Sequence, residues 1–321
     1  MTSMHTHHGG RLSDARARFG GAPGDWLDLS TGINPDAWSP PANATIDWQA
    51  LPDPSALAEL ERTAARHFGV APQLCLAVPG SEAGLRALGH ILRLPGEHRR
   101  PCYSTHIDAF RPGAADREAS VLVIGNPNNP DGALTSRQDL MAALAQQEER
   151  GGWLIVDEAF VDCAPDRSVA DLVTDGRRLI VTRSFGKFFG LAGVRLGFVL
   201  APGQVLDETR RLQGEWPVCA AALSFGTPAY GDDAWIARTR ALLTTTADNL
   251  DAMLERHGLH ARGACPLFRL VETPNAQELF TALARQQILT RPFADQPCLL
   301  RFGLPGGTDA LARLDRALAR G

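Results

Sequence analysis

The amino-acid sequence predicts an α/β fold in which helices cover a mostly parallel sheet. Two observations lead to this prediction. Short apolar runs alternate with helix-like stretches along residues 74–204, which is the order that produces parallel strands joined by helices. Several of the apolar runs also end in polar residues, and such strand ends are where ligands bind in open α/β sheets.

Four apolar runs are expected to form strands of this sheet. They are LCLAVPG at 74–80, VLVIGNP at 121–127, WLIVDEA at 153–159 and RLIVTRS at 178–184. Two amphipathic stretches are expected to form covering helices. They are SEAGLRALGHILRL at 81–94 and DLMAALAQQEER at 139–150.

The pattern changes after about residue 203. A long helical region at 204–257 leads to shorter strands in LFRLVE at 267–272 and CLLRFGLP at 298–305. We therefore predict a larger domain at 46–204 that contains the sheet. A smaller α+β domain is predicted from 1–45 together with 205–321.

Composition restricts the class of protein. The 321 residues are 44% hydrophobic and 21% charged, as in ordinary soluble globular proteins. A net charge of −4 gives no reason to expect nucleic acid or a membrane surface as partner. The six cysteines are scattered without metal-ligand spacing, so we expect reduced thiols and no metal. Without a long apolar span or a signal peptide, a cytoplasmic location is predicted.

Four polar residues fall at the ends of different predicted strands. They are Ser81, Asn129, Asp157 and Lys187. Because the carboxyl ends of parallel strands meet at one edge of a sheet, we expect one pocket to collect these side chains.

Lys187 lies in the run TRSFGKFFGLAGVRLGF, directly after an apolar strand. A lysine buried at such a sheet end has a lowered pKa and becomes a usable amine nucleophile. Taken alone, a solvated lysine in a glycine-rich loop is the more common interpretation. Asp157 alone fits a ring-nitrogen partner and a helix cap equally well.

Two further segments, GNPNNPDG at 125–132 and LIVDEAFVD at 154–162, accompany this run. Together the three resemble, in order and approximate spacing, the pyridoxal-phosphate enzymes of the aspartate aminotransferase fold, known as fold type I. The resemblance implies that Lys187 carries the cofactor and that Asp157 holds its pyridine nitrogen protonated. Asn129 would contact the ring oxygen, and Tyr103 would stack on the ring. The remaining implied cofactor-binding residues are Gly80, Ser81, Glu82, Ser184 and Arg195.

The resemblance points to one group of enzymes within this fold. The chain is similar to the histidinol-phosphate aminotransferase group and, within it, to the threonine-phosphate decarboxylases of cobalamin biosynthesis. The supporting features are an HGG opening at 8–10, the loop DLSTGINP at 28–35, Phe160 where aminotransferases usually have tyrosine, and the ending ILTRPFADQPCLLRFGLP. The implied substrate-binding residues are His8, Gly32, Asn129, Arg291 and Arg301. The implied reaction is decarboxylation of L-threonine O-3-phosphate to (R)-1-aminopropan-2-yl phosphate.

The chain departs from the group in two places. The stretch between Tyr103 and Asn126 is shorter than usual, as if a strand–helix unit were trimmed. Leu51 stands where the wider group has a tyrosine that reaches the cofactor phosphate of a neighbouring subunit. The resemblance still implies a homodimer.

Two other functions compete with decarboxylation. An aminotransferase acting on histidinol phosphate or a related phosphorylated amine would share every cofactor residue, and Phe160 counts modestly against it. A non-catalytic binding protein of the same fold is disfavoured by the intact lysine, aspartate and asparagine. A nicotinamide enzyme is disfavoured because no GxGxxG follows a strand with an acid about twenty residues on.

Overall fold

The computed structural model of the chain describes residues 9–40, 45–113 and 119–320. It separates into two compact units. The larger unit comprises Ala37–Asn129 and Ala133–Ala237. The smaller unit comprises the described residues up to 36, Pro130–Gly132 and the described residues from 238 onward. No described helix is both long and apolar enough to cross a membrane.

The larger unit contains a six-stranded sheet. Its strands are β2 (Cys75–Val78), β3 (Gly96–His98), β4 (Val121–Gly125), β5 (Trp153–Asp157), β6 (Leu179–Ser184) and β7 (Gly197–Leu200). The order across the sheet is β2-β7-β6-β5-β4-β3. Strands β3 to β6 pair in parallel, and β7 is antiparallel to both of its neighbours. The prediction of a mostly parallel sheet is confirmed.

Helices surround this sheet. They are α2 (Pro54–Phe68), α3 (Ser81–Leu92), α4 (Ser104–Ala109), α5 (Arg137–Glu149), α6 (Phe185–Phe188), α7 (Gly203–Gln213) and α8 (Ala220–Tyr230). Continuous apolar strands pack against apolar helix faces and bury both surfaces. The core formed in this way includes Leu76, Val123, Ile155, Ile180 and Val199 from the strands and Leu85, Leu88 and Leu206 from the helices.

The smaller unit contains two small sheets. Strands β11 (Arg291–Pro292), β12 (Leu299–Gly303), β9 (Phe268–Glu272) and β8 (Ala261–Arg262) form an antiparallel sheet in that order. Strands β1 (Leu27–Asp28) and β10 (Ile288–Leu289) pair in parallel. The helices of this unit are α1 (Leu12–Phe19), α10 (Ala276–Arg285) and α11 (Gly307–Leu318).

The division into units differs from the predicted domains chiefly in residues 205–237, which the sequence assigns to the smaller domain. The described residues from 37 to 45 also belong to the larger unit, and Pro130–Gly132 belong to the smaller one. In the structure α7 packs on α3 and β2, and α8 packs on α2. Both helices therefore belong to the larger unit. The boundary falls within the long helix α9 (Asp233–Arg256), whose continuous helical pattern gives no sequence signal at that point.

Candidate active site

Asp157 ends strand β5 and is held by three hydrogen bonds. Its Oδ2 lies 2.9 Å from Nε2 of His106. Its Oδ1 accepts from the Thr182 hydroxyl at 2.9 Å and from the backbone N–H of Ala159 at 3.2 Å. The side chain is almost fully buried, so these donors fix the carboxylate in one orientation.

His106 is a member of this site that the sequence analysis did not single out. It lies in α4, three residues after Tyr103, and is 1% exposed. Burial disfavours the charged imidazole, but the hydrogen bond to Asp157 and the neighbouring Cys102 outweigh burial and raise the pKa of His106 to about 9. At neutral pH His106 is therefore an imidazolium hydrogen-bonded to Asp157.

Tyr103 is anchored to the start of α3. Its hydroxyl donates to Glu82 at 3.3 Å, and the Thr105 hydroxyl donates to the other oxygen of the same carboxylate at 3.3 Å. The Tyr103 ring meets the His106 ring edge to face, with centroids 5.7 Å apart. Glu82, Tyr103, His106 and Asp157 therefore form one connected group.

The start of α3 lies against Arg195 and strand β7. Gly80 has φ +92°, and a Cβ there would come within 2.9 Å of Nη2 of Arg195. A Cβ on Gly197 would come within 2.4 Å of the backbone nitrogen of Ser81. Ser184 is the strand partner of Gly197. The two glycines thus let the helix N-terminus, an arginine and Ser184 come together, which is a suitable arrangement for a phosphate.

Lys187 lies in α6, immediately after β6, and is partly buried. Its Nζ is 5.7 Å from the centre of the Phe160 ring, which is buried. Of the 32 lysine and arginine residues in the chain, Lys187 is the only lysine. Arginine serves every other basic position, but its guanidinium cannot be deprotonated to act as a nucleophile. The single amine side chain of this protein thus stands at the predicted position.

Asn129 follows a turn that is stabilised by hydrogen bonds of the neighbouring asparagine side chains. The Asn126 side chain accepts from the N–H of Thr135 at 3.0 Å, and Nδ2 of Asn128 donates to the carbonyl of Pro101 at 2.8 Å. Asn129 itself is partly buried. Its predicted contact with a cofactor ring stays a prediction.

The remaining predicted substrate-binding residues belong to the smaller unit. Arg291 and Arg301 are direct partners across β11 and β12, and they are 8% and 3% exposed. Burial, and after it the charge of Arg291, lowers the pKa of the Arg301 guanidinium well below its ordinary value. Gly32 is buried. His8 lies outside the described residues.

The larger unit therefore contains a fixed carboxylate, an amine, an aromatic ring and a helix N-terminus beside an arginine. These groups match the needs of pyridoxal phosphate, which has a basic ring nitrogen, an aldehyde and a phosphate. In the described part of the chain, no three His, Cys, Asp or Glu side chains are grouped so as to hold a metal ion.

Comparison with known proteins defines the class. Residues 104–320 match the family described as Aminotransferase class I and II, and the chain belongs to this family. Its fold is that of the aspartate aminotransferases. Histidinol-phosphate aminotransferase from Sinorhizobium meliloti, solved in complex with pyridoxal-5'-phosphate, superposes with a TM-score of 0.82 at 17% identity, covering 96% of this chain and 93% of that one.

Two curated relatives are more specific. The chain is 40% identical to threonine-phosphate decarboxylase of Pseudomonas aeruginosa, over 97% of this chain and 96% of that protein. It is 39% identical to threonine-phosphate decarboxylase of Sinorhizobium sp, over 98% of this chain and 97% of that protein.

Proposed function

We propose that this chain is a pyridoxal-phosphate-dependent decarboxylase that converts L-threonine O-3-phosphate to (R)-1-aminopropan-2-yl phosphate in cobalamin biosynthesis. The observation that carries the proposal is the 40% identity to a threonine-phosphate decarboxylase over nearly the whole of both chains. The likeness to the aminotransferase structure, at 17% identity, supports the fold alone.

Pyridoxal phosphate supplies an electron sink that stabilises negative charge at the substrate Cα. Asp157 keeps the ring nitrogen protonated and so maintains that sink. His106 and Thr182 hold the carboxylate in place through their hydrogen bonds at 2.9 Å.

Lys187 has two tasks in the proposed reaction. Its amine would hold the cofactor, and in its protonated form Lys187, or a water, would return a proton to the substrate Cα. The ring of Phe160, 5.7 Å from Nζ, forms an apolar wall beside the amine.

The other cofactor residues position the ring and the phosphate. Gly80 and Ser81 present backbone N–H groups at a helix start, and Arg195 and Ser184 add a cation and a hydroxyl. Tyr103 is proposed to stack on the ring, and its bond to Glu82 fixes the phenol. Asn129 is proposed to donate to the ring oxygen.

Arg291 and Arg301 are proposed to bind the two anionic ends of the substrate. Adjacent buried like charges repel each other, so an anion that binds between them gains a strong interaction in a poorly solvated place. Arg301 would hold the carboxylate, and Arg291, Gly32 and His8 would hold the phosphate.

Holding the carboxylate selects which bond breaks. The cofactor would stabilise the loss of whichever Cα bond overlaps its electron sink, so Arg301, by holding the carboxylate, would favour loss of carbon dioxide over loss of the Cα proton. Phe160 supplies no hydroxyl at the position where aminotransferases of this group usually have one. Both features favour decarboxylation over amino transfer.

The proposal includes a homodimer. Three large apolar side chains of the larger unit, Trp48, Leu51 and Trp216, are 72%, 65% and 54% exposed in the single chain. Exposed apolar side chains of this size are typical of surfaces that associate. Light scattering at several concentrations measures the mass directly. The cytoplasmic location stays a prediction.

A comparison of two substrates tests the function. The protein loaded with pyridoxal phosphate should release carbon dioxide from L-threonine O-3-phosphate without an amino acceptor. It should form no glutamate from histidinol phosphate and 2-oxoglutarate. Glutamate without carbon dioxide would contradict the proposal in favour of an aminotransferase. Lys187→Arg keeps the charge but removes the only side-chain amine, and should abolish either activity.

A further inference from the structure

Ser30 lies where three segments of the smaller unit meet. The segments are Gly9–Gly10 near the start of the chain, the loop that follows β1, and strand β12. Ser30 is 2% exposed. We call the contacts among Gly9, Gly10, Asp28, Ser30 and Arg301 the Ser30 junction.

The Ser30 hydroxyl is used as donor and as acceptor. It accepts from the backbone N–H of Gly10 at 2.7 Å and donates to Oδ1 of Asp28 at 2.5 Å. The backbone N–H of Ser30 donates to the same Asp28 oxygen at 2.8 Å. Asp28 therefore sets the direction of the hydroxyl, which leaves a lone pair aimed at Gly10.

The carbonyl of Ser30 has a different partner from the hydroxyl. It accepts from Nη2 of Arg301 at 2.9 Å. The N–H of Gly303, two residues further along β12, donates to the carbonyl of Leu29 at 2.7 Å. The loop is thus bound to β12 at two successive residues, and one of these bonds orients the Arg301 guanidinium.

The glycine pair is required by this close approach. A Cβ on Gly9 would lie 2.2 Å from the carbonyl oxygen of Ser30, which no side chain could tolerate without displacing the backbone. Gly10 has φ +79°, a conformation that strains other residues. The close approach to Ser30 therefore explains the glycine at position 9, and the backbone conformation explains the glycine at position 10.

We propose that Ser30 is a positioning residue for the phosphorylated substrate. Its carbonyl orients Arg301, while its hydroxyl fixes Gly10, so Arg301 and the glycine pair are both tied to one residue of the loop. This inference rests on the proposed function, in which Arg301 and His8 bind the substrate. Because Ser30→Ala removes the hydroxyl that holds Gly10 but keeps the carbonyl that orients Arg301, it should raise KM and leave kcat nearly unchanged.

Two variants test the junction, each with a matched control. Ser30→Ala removes the hydroxyl, and Ser13→Ala makes the same change on the exposed face of α1. Gly9→Ala introduces the clash, and Gly24→Ala adds a Cβ that meets no atom of the described residues within 4 Å. All four are loaded with pyridoxal phosphate, and KM and kcat are measured with L-threonine O-3-phosphate.

A second readout does not depend on turnover. Arg11 is the only lysine or arginine among the first eleven residues, so tryptic cleavage after Arg11 reports how firmly this segment is held. Ser30→Ala and Gly9→Ala should raise KM about tenfold, the effect of losing one well-formed hydrogen bond. They should also speed this cleavage while the cofactor absorbance stays unchanged, and both controls should behave as wild type.

Two results would overturn the inference. Wild-type KM in both variants, with faster cleavage, would show that the junction holds the chain but does not serve the substrate. Unchanged cleavage would show that the junction does not hold the segment at all. Absence of turnover in the wild type would instead refute the proposed function. In that case two measurements test the junction, tryptic cleavage and the affinity for inorganic phosphate measured by calorimetry. The inference stands only if cleavage is faster and the affinity for phosphate is lower in both variants.

Discussion

Charged side chains on the two faces of the central sheet have different kinds of hydrogen-bond partners. At the ends of β5 and β6, successive residues point to opposite faces. Asp157 and Thr182 are bonded on one face, and Glu158 and Arg183 are bonded on the other. Four neighbouring polar residues thus divide into two pairs.

On the second face, hydrogen bonds connect several charged side chains in one network. Arg183 donates to Glu158 at 3.1 Å and also to Asp162, and Asp162 lies 3.1 Å from His67. Burial alone would raise the pKa of Asp162, but Arg183 and His67 outweigh it and lower the pKa to about 2. Around Glu158 burial prevails, and the pKa of this acid is raised.

The difference between the faces separates stability from function. Glu158, Asp162 and Arg183 bind one another, and Ser168 and Val169 also donate to Glu158. These three side chains therefore find their charged partners within the protein. Asp157 is held by His106, and the connected contacts continue from His106 through Tyr103 to the start of α3. Adjacent acids in one sequence motif therefore have different roles, and the pleat decides which role each takes.

The largest expected effect separates the two adjacent acids. Asp157→Asn keeps the size of the side chain but removes the charge that holds a ring nitrogen protonated, so kcat should fall by roughly 10²–10⁴-fold. The matched control Glu158→Gln on the other face should change kcat by less than about tenfold. Steady-state carbon dioxide release measures both. Equal losses of kcat in the two variants would remove the distinction between the faces.

Stability should show the reverse pattern. Arg183→Met leaves buried carboxylates without their cation and should lower the free energy of unfolding by about 3–5 kcal/mol. Arg137→Met breaks an exposed ion pair with Asp171 and should cost less than about 1 kcal/mol. Chemical denaturation gives both values. A cost for Arg183→Met as small as that of the control would mean that the network contributes little to stability.

His106 should give a pH-dependent signature. Its pKa of about 9 in the folded chain exceeds the ordinary value of ~6.5, so its stabilising contribution is complete below about pH 6.5 and is lost as the pH rises through about 9. The difference in unfolding free energy between wild type and His106→Gln should shrink by about 3 kcal/mol between about pH 6 and about pH 10.

His98 provides the control of opposite sign. Burial outweighs its hydrogen bond to the Phe110 carbonyl and lowers the pKa of His98. The contribution of His98 to the free energy of unfolding therefore decreases as the pH falls. His98→Gln should accordingly gain stability relative to wild type on acidification. The same pH trend in both variants would contradict the assignment of an imidazolium at His106.

The smallest effect concerns the outcome of the reaction. Phe160→Tyr adds a hydroxyl near the Lys187 amine, where aminotransferases of the group usually have one. We expect decarboxylation to fall by less than about tenfold, since one neutral hydrogen bond is added, and the fraction of keto product to rise. Chromatography of both products measures this ratio. An unchanged ratio would show that Phe160 does not influence the choice of bond.

Four strands of the larger sheet could be predicted because they are continuous apolar runs, whereas β7, which lies between β2 and β6, was not predicted. Strands β2, β4, β5 and β6 lie within the four predicted segments. Strand β3 could not be predicted, since Gly96–His98 is a short edge strand without an apolar pattern. Residues 205–237 were assigned differently because tertiary packing, which a helical pattern does not reveal, places α7 and α8 on the larger unit.

The candidate site was predictable in part. Lys187 and Asp157 follow strands and carry recognisable motifs, and the count of a single lysine was an additional signal present in the sequence. The role of His106 depends on a contact with Asp157, 51 positions away, so spacing one helical turn after Tyr103 was the only local hint. The Arg183 network was hidden because a motif of adjacent polar residues does not tell which one faces which side.

Fate of the substrate carboxylate tests the central claim most directly. L-threonine O-3-phosphate labelled with carbon-13 in the carboxyl group would be incubated with the loaded wild type and with Lys187→Ala, and the products would be followed by NMR. We predict one labelled carbon dioxide for each aminopropan-2-yl phosphate in the wild type and neither product in the variant. Label retained in a keto acid would contradict the decarboxylase.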